Sequence, residues 1–89
     1  MIRAFQNKQL RSLWETGESK IDARMHDRIL RRLDALNAAK TTADLDAPGF
    51  DFHALKGHKP ARYTIHVPWC ITFDFSNGTA TAVDFEQYH

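Results

Sequence analysis

The fold of this chain is decided by the stretch Trp69-Cys-Ile-Thr-Phe-Asp-Phe-Ser-Asn-Gly-Thr-Ala-Thr-Ala-Val-Asp-Phe85. Apolar and polar residues alternate on both sides of Asn77-Gly78, which is the period of a strand with one buried face. Asparagine and glycine both tolerate the positive φ of a type I′ turn, so the segment predicts a β-hairpin. Its first strand should turn Ile71, Phe73 and Phe75 inward and Cys70, Thr72 and Asp74 outward.

The second strand of this hairpin is expected to continue to the carboxyl end of the sequence. The alternating residues that predict its docked face are Thr79, Thr81, Val83 and Phe85. A docked end would hold Tyr88 and His89 rigidly beside the sheet. A frayed polar tail is the alternative, because chain ends are often poorly ordered.

Three further strands are predicted upstream of the hairpin. Residues 62–67 alternate, with Tyr63, Ile65 and Val67 on one face and Arg62, Thr64 and His66 on the other. Residues 50–56 form another predicted strand, which Gly57 closes, and Ile2 to Phe5 indicates a short opening strand. Pro68 requires a tight connection into the hairpin.

Helical spacing occurs only in the first half of the chain. Asn7 is a suitable N-cap for a first helix that ends at Gly17. Ser19-Lys-Ile-Asp22 has the form of a capping box for a longer helix, and Thr41-Thr-Ala-Asp44 repeats that form for one turn before Pro48-Gly49. The longer helix has one apolar stripe, formed by Ile21, Met25, Ile29, Leu33 and Leu36.

The predicted order is β-α-α-β-β-β-β, an α+β fold with two N-terminal helices packed on one face of a mainly antiparallel β-sheet. Residues 1–89 are enough for a single domain with one core, and 43% hydrophobic residues argue against disorder. We expect a cytoplasmic protein, because no segment has the length to span a bilayer and the amino end lacks an apolar secretory core. The single cysteine, Cys70, excludes a disulfide framework and a CxxC metal motif.

Positive charge is concentrated locally, although the net charge is only +1. Four arginines of the longer helix lie off its apolar stripe and should be solvated: Arg24, Arg28, Arg31 and Arg32. Such a face is suited to nucleic acid or an acidic partner, but it is also typical of an ordinary solvated helix. The sequence leaves both interpretations open.

The sheet face opposite the helices should display the side chains with catalytic chemistry. A histidine base, a cation and an acid suit the cleavage of a phosphodiester, and RNA supplies its own nucleophile in the 2′-hydroxyl. No metal or cofactor is therefore expected, and no histidine pair has a convincing chelating spacing. Cys70 is interpreted as a small half-buried residue rather than a nucleophile. The candidates are His53, Lys56, Arg62, His66, Tyr88 and His89.

Taken together, five segments of the chain resemble the HigB toxins of the RelE/ParE toxin superfamily. They are Met1-Ile-Arg-Ala-Phe5, Leu10-Arg-Ser-Leu-Trp-Glu-Thr-Gly17, Phe52-His-Ala-Leu-Lys-Gly57, Trp69-Cys-Ile-Thr-Phe73 and Tyr88-His89. The resemblance implies a RelE-like toxin of a type II toxin–antitoxin pair that cuts mRNA in the ribosomal A site. It also implies a HigA-like helix-turn-helix antitoxin as partner, with operator DNA bound only indirectly through that antitoxin.

The resemblance assigns roles residue by residue. His53 and Lys56 match the family's His-x-Leu-Lys-Gly segment, and Tyr88 and His89 match its terminal Asp-Tyr-His. Lys56 would stabilise the phosphorane charge, His53 or His89 would transfer protons, and Tyr88 would stack on or hydrogen-bond the substrate. Which histidine is base and which is acid stays open.

Three positions depart from the family pattern. Cys70 stands where the family has an arginine that supports the scissile phosphate, Gln87 stands where it has aspartate, and the connection containing Pro68 is short. Losing one preorganised cation typically costs about 10²–10³ in rate, so a weakened or inactive nuclease is expected. Arg62, on the next strand, is the residue that could substitute for the missing cation.

Two other functions stay open at this point. One is a catalytically silent protein that binds antitoxin and helps to regulate its operon, and the other is a gyrase inhibitor of the related ParE type. The residues expected to contact RNA or the ribosome are Arg24, Arg28, Arg31, Arg62 and His66. For the helical arginines, the alternative is solvated residues stabilised by Asp27 and Asp34.

Overall fold

Two helices and four strands make up the described part of the chain. The computed structural model describes residues 1–59, 61–67 and 69–86. The helices are α1 (Lys8–Thr16) and α2 (His26–Ala38), and the short 3₁₀ turns are Ala23–Met25 and Thr42–Leu45. The strands are β1 (His53–Leu55), β2 (Arg62–His66), β3 (Cys70–Ser76) and β4 (Thr79–Glu86).

The strands form one sheet in the order β1-β2-β3-β4, and all three neighbouring pairs are antiparallel. The helices and one face of the sheet enclose a single core, so the predicted α+β class is confirmed. The fully buried side chains of this core include Leu10, Leu13, Ile29, Leu33 and Leu36 from the helices and Ile65, Ile71, Phe73 and Val83 from the sheet. Within the described ranges, no helix combines the length and apolar character needed to cross a membrane.

The local signals for α1 and for the hairpin are confirmed. The Asn7 side chain accepts a hydrogen bond from the Leu10 N–H at 2.9 Å, and Gly17, at φ +80°, donates its N–H to the Leu13 carbonyl. Between β3 and β4, Asn77 and Gly78 both have positive φ, at 51° and 76°. These are the two central residues of the type I′ turn that the sequence predicts.

The start of the second helix differs from the prediction. The Ser19 hydroxyl accepts from the Ile21 N–H within a turn, and it is Asp22 that caps the 3₁₀ turn by accepting from the Arg24 N–H. α2 itself begins at His26. Serine and aspartate side chains compete for nearby backbone N–H groups outside helices, so the residues of a capping box can form consecutive turns instead.

The predicted strand at residues 50–56 is shortened to His53–Leu55. Asp51 has φ +47°, which interrupts the extended conformation before β1. The predicted opening strand is reduced to two isolated parallel bridges, which join Ile2 to Ala80 and Phe5 to Val83. These bridges attach the amino-terminal segment to β4.

A β-bulge in β4 overturns the predicted alternation of that strand. Thr72 pairs with Asp84 while Asp74 pairs with Thr81, so β4 contains one more residue than the facing part of β3. The expectation that Thr79 and Thr81 share a face with Val83 and Phe85 is therefore wrong. Ala80 occupies the core side before the bulge, because one extra residue exchanges the two faces of a strand.

Candidate active site

The register of the sheet defines the surface on which the candidate residues lie. Residues paired across antiparallel strands point to the same side, so His53, Thr64, Thr72 and Asp84 form one row across all four strands. The rows on either side contain Leu55, Arg62, Asp74 and Thr81, and His66, Cys70 and Glu86. We call this side, which faces away from the helices, the open face.

His53 lies on the edge strand β1 and is exposed. Its Nδ1 is 2.9 Å from the Asp51 carbonyl oxygen. A carbonyl only accepts, so Nδ1 carries the proton in the neutral ring and Nε2 is left as a proton acceptor. This hydrogen bond gives His53 the tautomer of a general base.

Lys56 follows β1 directly, in the turn that contains Gly57. Its side chain is exposed, and its ammonium makes no hydrogen bond or ion pair with the described residues. A lysine in that state is available to an anionic ligand. His53 and Lys56 are only three residues apart in the chain, so β1 and the following turn bring them to the same edge of the sheet.

Gln87, Tyr88 and His89 lie outside the described residues, so their convergence with His53 stays a prediction. β4 ends at Glu86, which pairs with Cys70. Two strands separate β4 from β1, and a typical strand spacing makes that separation about 14 Å. A site that joins His53 to the terminal residues therefore has to extend across the open face.

Cys70 lies in the row between His66 and Glu86 and is a half-buried free cysteine, as predicted. An arginine at this position would have the Glu86 carboxylate as its cross-strand neighbour. The cysteine supplies neither charge nor a strong hydrogen-bond donor there. Cys70 therefore does not supply the cation that the sequence resemblance implies at this position.

The Arg62 guanidinium is fixed by a network that sequence analysis missed. It donates to Asp74 Oδ1 at 3.1 Å, to Thr72 Oγ1 at 3.0 Å and to the Ala82 carbonyl at 2.9 Å. Thr72, which is fully buried, donates in turn to Glu86 Oε2 at 2.6 Å. Only 13% of the Arg62 side chain is exposed, so it is held within the sheet surface rather than extended towards a ligand.

The strand residues of the open face carry more negative than positive charge. Arg62 contributes one positive charge, and Asp74, Asp84 and Glu86 contribute three negative charges. The sum is −2 when the histidines are neutral. This charge disfavours a phosphate, and protonated His53 and His66 would offset it. Among the described residues, no cluster of histidine, cysteine, aspartate or glutamate has the arrangement of a metal site.

The residues predicted to bind RNA lie on two separate surfaces. Arg62 and His66 belong to the open face, whereas Arg24, Arg28 and Arg31 are exposed at the start and on the outside of α2. Arg24 forms a two-pronged ion pair with Asp22, with a shortest distance of 2.7 Å. The hydrogen bonds from Arg24 lower the pKa of Asp22 to about 2.

The expectation that Arg32 is solvated with the other helical arginines is wrong. Its guanidinium is half-buried, donates to the carbonyls of His66 and Gly49, and lies 4.6 Å from the centre of the Phe50 ring. Burial and the charges of Arg31 and Arg28 lower its pKa from the usual value. The side chain joins α2 to the end of β2 and to the segment that precedes β1.

Comparison with known proteins identifies the family of the chain. A family model described as the RelE-like toxin of type II toxin–antitoxin system HigB matches residues 3–89. The chain is 37% identical, over 92 aligned residues, to the Endoribonuclease HigB of Proteus vulgaris, and the alignment covers 100% of both chains. On this evidence, the chain belongs to the HigB-like family of RelE-like toxins of type II toxin–antitoxin systems.

Proposed function

We propose that this protein is an mRNA endoribonuclease that acts in the cytoplasm on messages held in the ribosomal A site, and that it is silenced by a HigA-like antitoxin. Its relative from Proteus vulgaris is named an endoribonuclease. The observation that carries the proposal is His53, which is exposed on the open face with Nδ1 held by a carbonyl and Nε2 available as a base. Operator DNA is bound only through the antitoxin.

The proposed reaction needs no metal. One imidazole removes the proton from the ribose 2′-hydroxyl, and the resulting oxygen attacks the adjacent phosphorus. The bond from phosphorus to the 5′-oxygen breaks, a second imidazole protonates that oxygen, and the ribose retains a 2′,3′-cyclic phosphate. His53 and His89 are the two imidazoles, Lys56 stabilises the charge on the phosphorane, and Tyr88 stacks on or hydrogen-bonds the substrate.

The proposed enzyme is attenuated because Cys70 supplies no cation to the row of the open face that it shares with His66 and Glu86. Arg62 compensates poorly, since its guanidinium already donates to Asp74, Thr72 and the Ala82 carbonyl. The surplus of carboxylates on the same face adds a repulsion that a phosphate must overcome. The expected loss relative to an arginine at position 70 is about 10²–10³ in rate.

The test compares the natural chain with Cys70→Arg, Cys70→Ser and His53→Ala in cleavage of a defined message, with and without purified ribosomes. Arginine at position 70 should raise the rate by about 10²–10³, and serine, which adds no charge, should leave it nearly unchanged. His53→Ala should remove most of the remaining activity. Equal rates for Cys70→Arg and the natural chain would refute attenuation, and full activity of His53→Ala would refute the site.

Contact with the ribosome is assigned to the exposed arginines of the α2 side, Arg24, Arg28 and Arg31. Binding to the phosphate backbone weakens as salt increases, since each contact releases counterions. Charge reversal at Arg28 and Arg31 together should weaken co-sedimentation with ribosomes and flatten its salt dependence. Unchanged sedimentation at low salt would leave these arginines as solvated surface residues.

A second candidate is a catalytically silent protein that binds antitoxin and regulates its operon. The net negative open face and the cysteine at position 70 favour it. It predicts that the natural chain binds its antitoxin tightly but leaves ribosome-bound mRNA intact at any enzyme concentration. Measurable cleavage that disappears in His53→Ala would exclude this alternative.

A further inference from the structure

Within the described ranges, Trp69 is the only large aromatic residue that is exposed. Its ring stacks on Phe85, with 5.1 Å between the ring centres and 13° between the ring planes. Phe85 belongs to the core and is only 9% exposed, so it supports the indole from below. The result is a rigid aromatic surface that 38% exposure leaves accessible to a ligand.

The indole forms one wall of a groove that runs to the start of α2. The other lining residues are Asp22, Arg24, Met25 and Arg28. Arg24 is held in position by its ion pair with Asp22, whereas Arg28 has no hydrogen bond or ion pair with the described residues. Two positive charges and one negative charge give the groove a net charge of +1.

A rigid indole beside two guanidinium groups has the chemistry that recognises an unstacked nucleotide. Aromatic rings accept the flat face of any base, and guanidinium groups bind the adjoining phosphate. The bases of a double helix are already stacked on one another, so a duplex would contact the arginines without using Trp69. The groove therefore discriminates between single-stranded and double-stranded RNA.

The position of the groove relates it to the open face. Trp69 immediately precedes Cys70, the first residue of β3, and its stacking partner Phe85 immediately precedes Glu86. Cys70 and Glu86 are cross-strand neighbours on the open face. A strand of RNA leaving that face at this end of the sheet would meet the indole next.

We propose that Trp69, Arg24 and Arg28 bind one nucleotide of single-stranded RNA, with the base stacked on the indole and its phosphate on the arginines. This inference rests on the proposed function. The bound nucleotide would belong to the message and lie next to the cleavage point. Trp69 is thus a substrate-binding residue, and Arg24 and Arg28 contact the message in addition to their place on the arginine surface that faces the ribosome.

The experiment measures binding without cleavage. The probe is an eight-nucleotide single-stranded RNA with 2′-O-methyl groups, which lacks the nucleophilic hydroxyl and cannot be cut by the proposed reaction. Trp14→Phe leaves Trp69 as the only tryptophan, so that its fluorescence reports contact with a base. The single strand should quench this fluorescence saturably, and the same sequence in a duplex should not.

Variants of the groove separate stacking from charge. Trp69→Leu, followed by anisotropy of labelled RNA, should weaken binding by about 5- to 150-fold, and Trp69→Phe should retain most of it. Arg28→Glu should weaken binding and lower the slope of log affinity against log salt by about 0.7 for each lost phosphate contact. Arg11→Glu is the matched control, because Arg11 is an exposed arginine on α1 outside the groove.

Several results would overturn the inference: absence of quenching, equal binding of single strand and duplex, or unchanged affinity in Trp69→Leu. Impaired antitoxin binding in Trp69→Leu with unchanged RNA affinity would make the groove a protein-docking surface instead. Whether the protein is a nuclease is tested separately, by measuring cleavage of a message with unmodified 2′-hydroxyl groups. RNA binding without cleavage would refute the nuclease and preserve the groove, whereas cleavage without quenching would refute the groove alone.

Discussion

Ala82 has φ +50° within β4, although its Cβ makes a left-handed backbone unfavourable by about 1–2 kcal/mol. The conformation belongs to the bulge, which directs the Ala82 carbonyl to the Arg62 guanidinium at 2.9 Å. A hydrogen bond to a charged group contributes about 1.5–3 kcal/mol, enough to offset the strain. One residue thus couples the irregularity of the strand to the polar network of the open face.

Substitutions at Ala82 should show this strain directly. Ala82→Val should lower the free energy of unfolding by about 1–3 kcal/mol, because a β-branched residue tolerates positive φ poorly, whereas Ala82→Gly should change it by less than about 1 kcal/mol. Urea denaturation measures both. Ala54→Val is the control, since Ala54 is an exposed residue of β1 with ordinary strand geometry. Equal losses at positions 54 and 82 would contradict the role of the bulge.

The Asp22–Arg24 pair gives a prediction about pH. Arg24 lowers the pKa of Asp22 from 3.8 to about 2, so the folded state favours the ionised carboxylate. A lowered pKa in the folded state means that this contribution to stability is complete above pH 4 and is lost as the pH falls through about 2. In Arg24→Gln, the pKa of Asp22 measured by NMR titration should rise towards 3.8. An unchanged pKa would assign the shift to the backbone N–H of residue 24 alone.

Among the secondary-structure elements, α2 is attached to the sheet by Arg32. Its side chain donates to the carbonyl of His66, at the end of β2, and it contacts Gly49 and Phe50 in the segment that precedes β1. Arg32→Gln should therefore reduce the free energy of unfolding by about 1–2 kcal/mol, because two carbonyls and the Phe50 ring lose a charged partner. Arg31→Gln, one residue earlier and exposed, should change it by no more than about 0.5 kcal/mol. Similar effects of both substitutions would argue against this attachment.

Three strands of the sheet share the guanidinium of Arg62, which comes from β2 and bonds residues of β3 and β4. Arg62→Met should cost about 2–4 kcal/mol in unfolding experiments, since it leaves Thr72 and Asp74 without their partner. Arg28→Met, on the surface of α2, is the control and should be nearly neutral. A neutral Arg62→Met would contradict this structural role of the network.

At the level of the whole molecule, the helices and the sheet share one hydrophobic core, so they should unfold together. Leu33, on α2, is fully buried in that core. Leu33→Ala should lower the free energy of unfolding by about 2–5 kcal/mol, while far-ultraviolet circular dichroism and tryptophan fluorescence keep a common midpoint. Leu30→Ala, at a half-buried position of the same helix, should cost less. Separate midpoints would show that the helices and the sheet unfold independently.

The sequence by itself determined the features that depend on neighbouring residues. Asn7 and Gly17 bound α1, and Asn77-Gly78 forms the hairpin turn, because capping and turn formation need only a few adjacent backbone groups. Period-two alternation also predicts correctly which residues of β2 lie on the open face, because no bulge interrupts that strand. Residue chemistry makes His53 and Lys56 candidates and the resemblance assigns their roles, whereas the structure adds the hydrogen bond that sets the tautomer of His53.

Only the tertiary structure decided which distant groups meet. The bulge at Ala82 reversed the expected faces of β4, Arg32 reached carbonyls 17 and 34 residues away, and Arg62 found partners 10 to 20 residues away. No local pattern encodes such pairs, because strand register and helix docking set them through the packing of the whole core. The groove at Trp69 has the same origin: it brings Arg28 of α2, and residues of the turn before that helix, to a tryptophan in the second half of the chain.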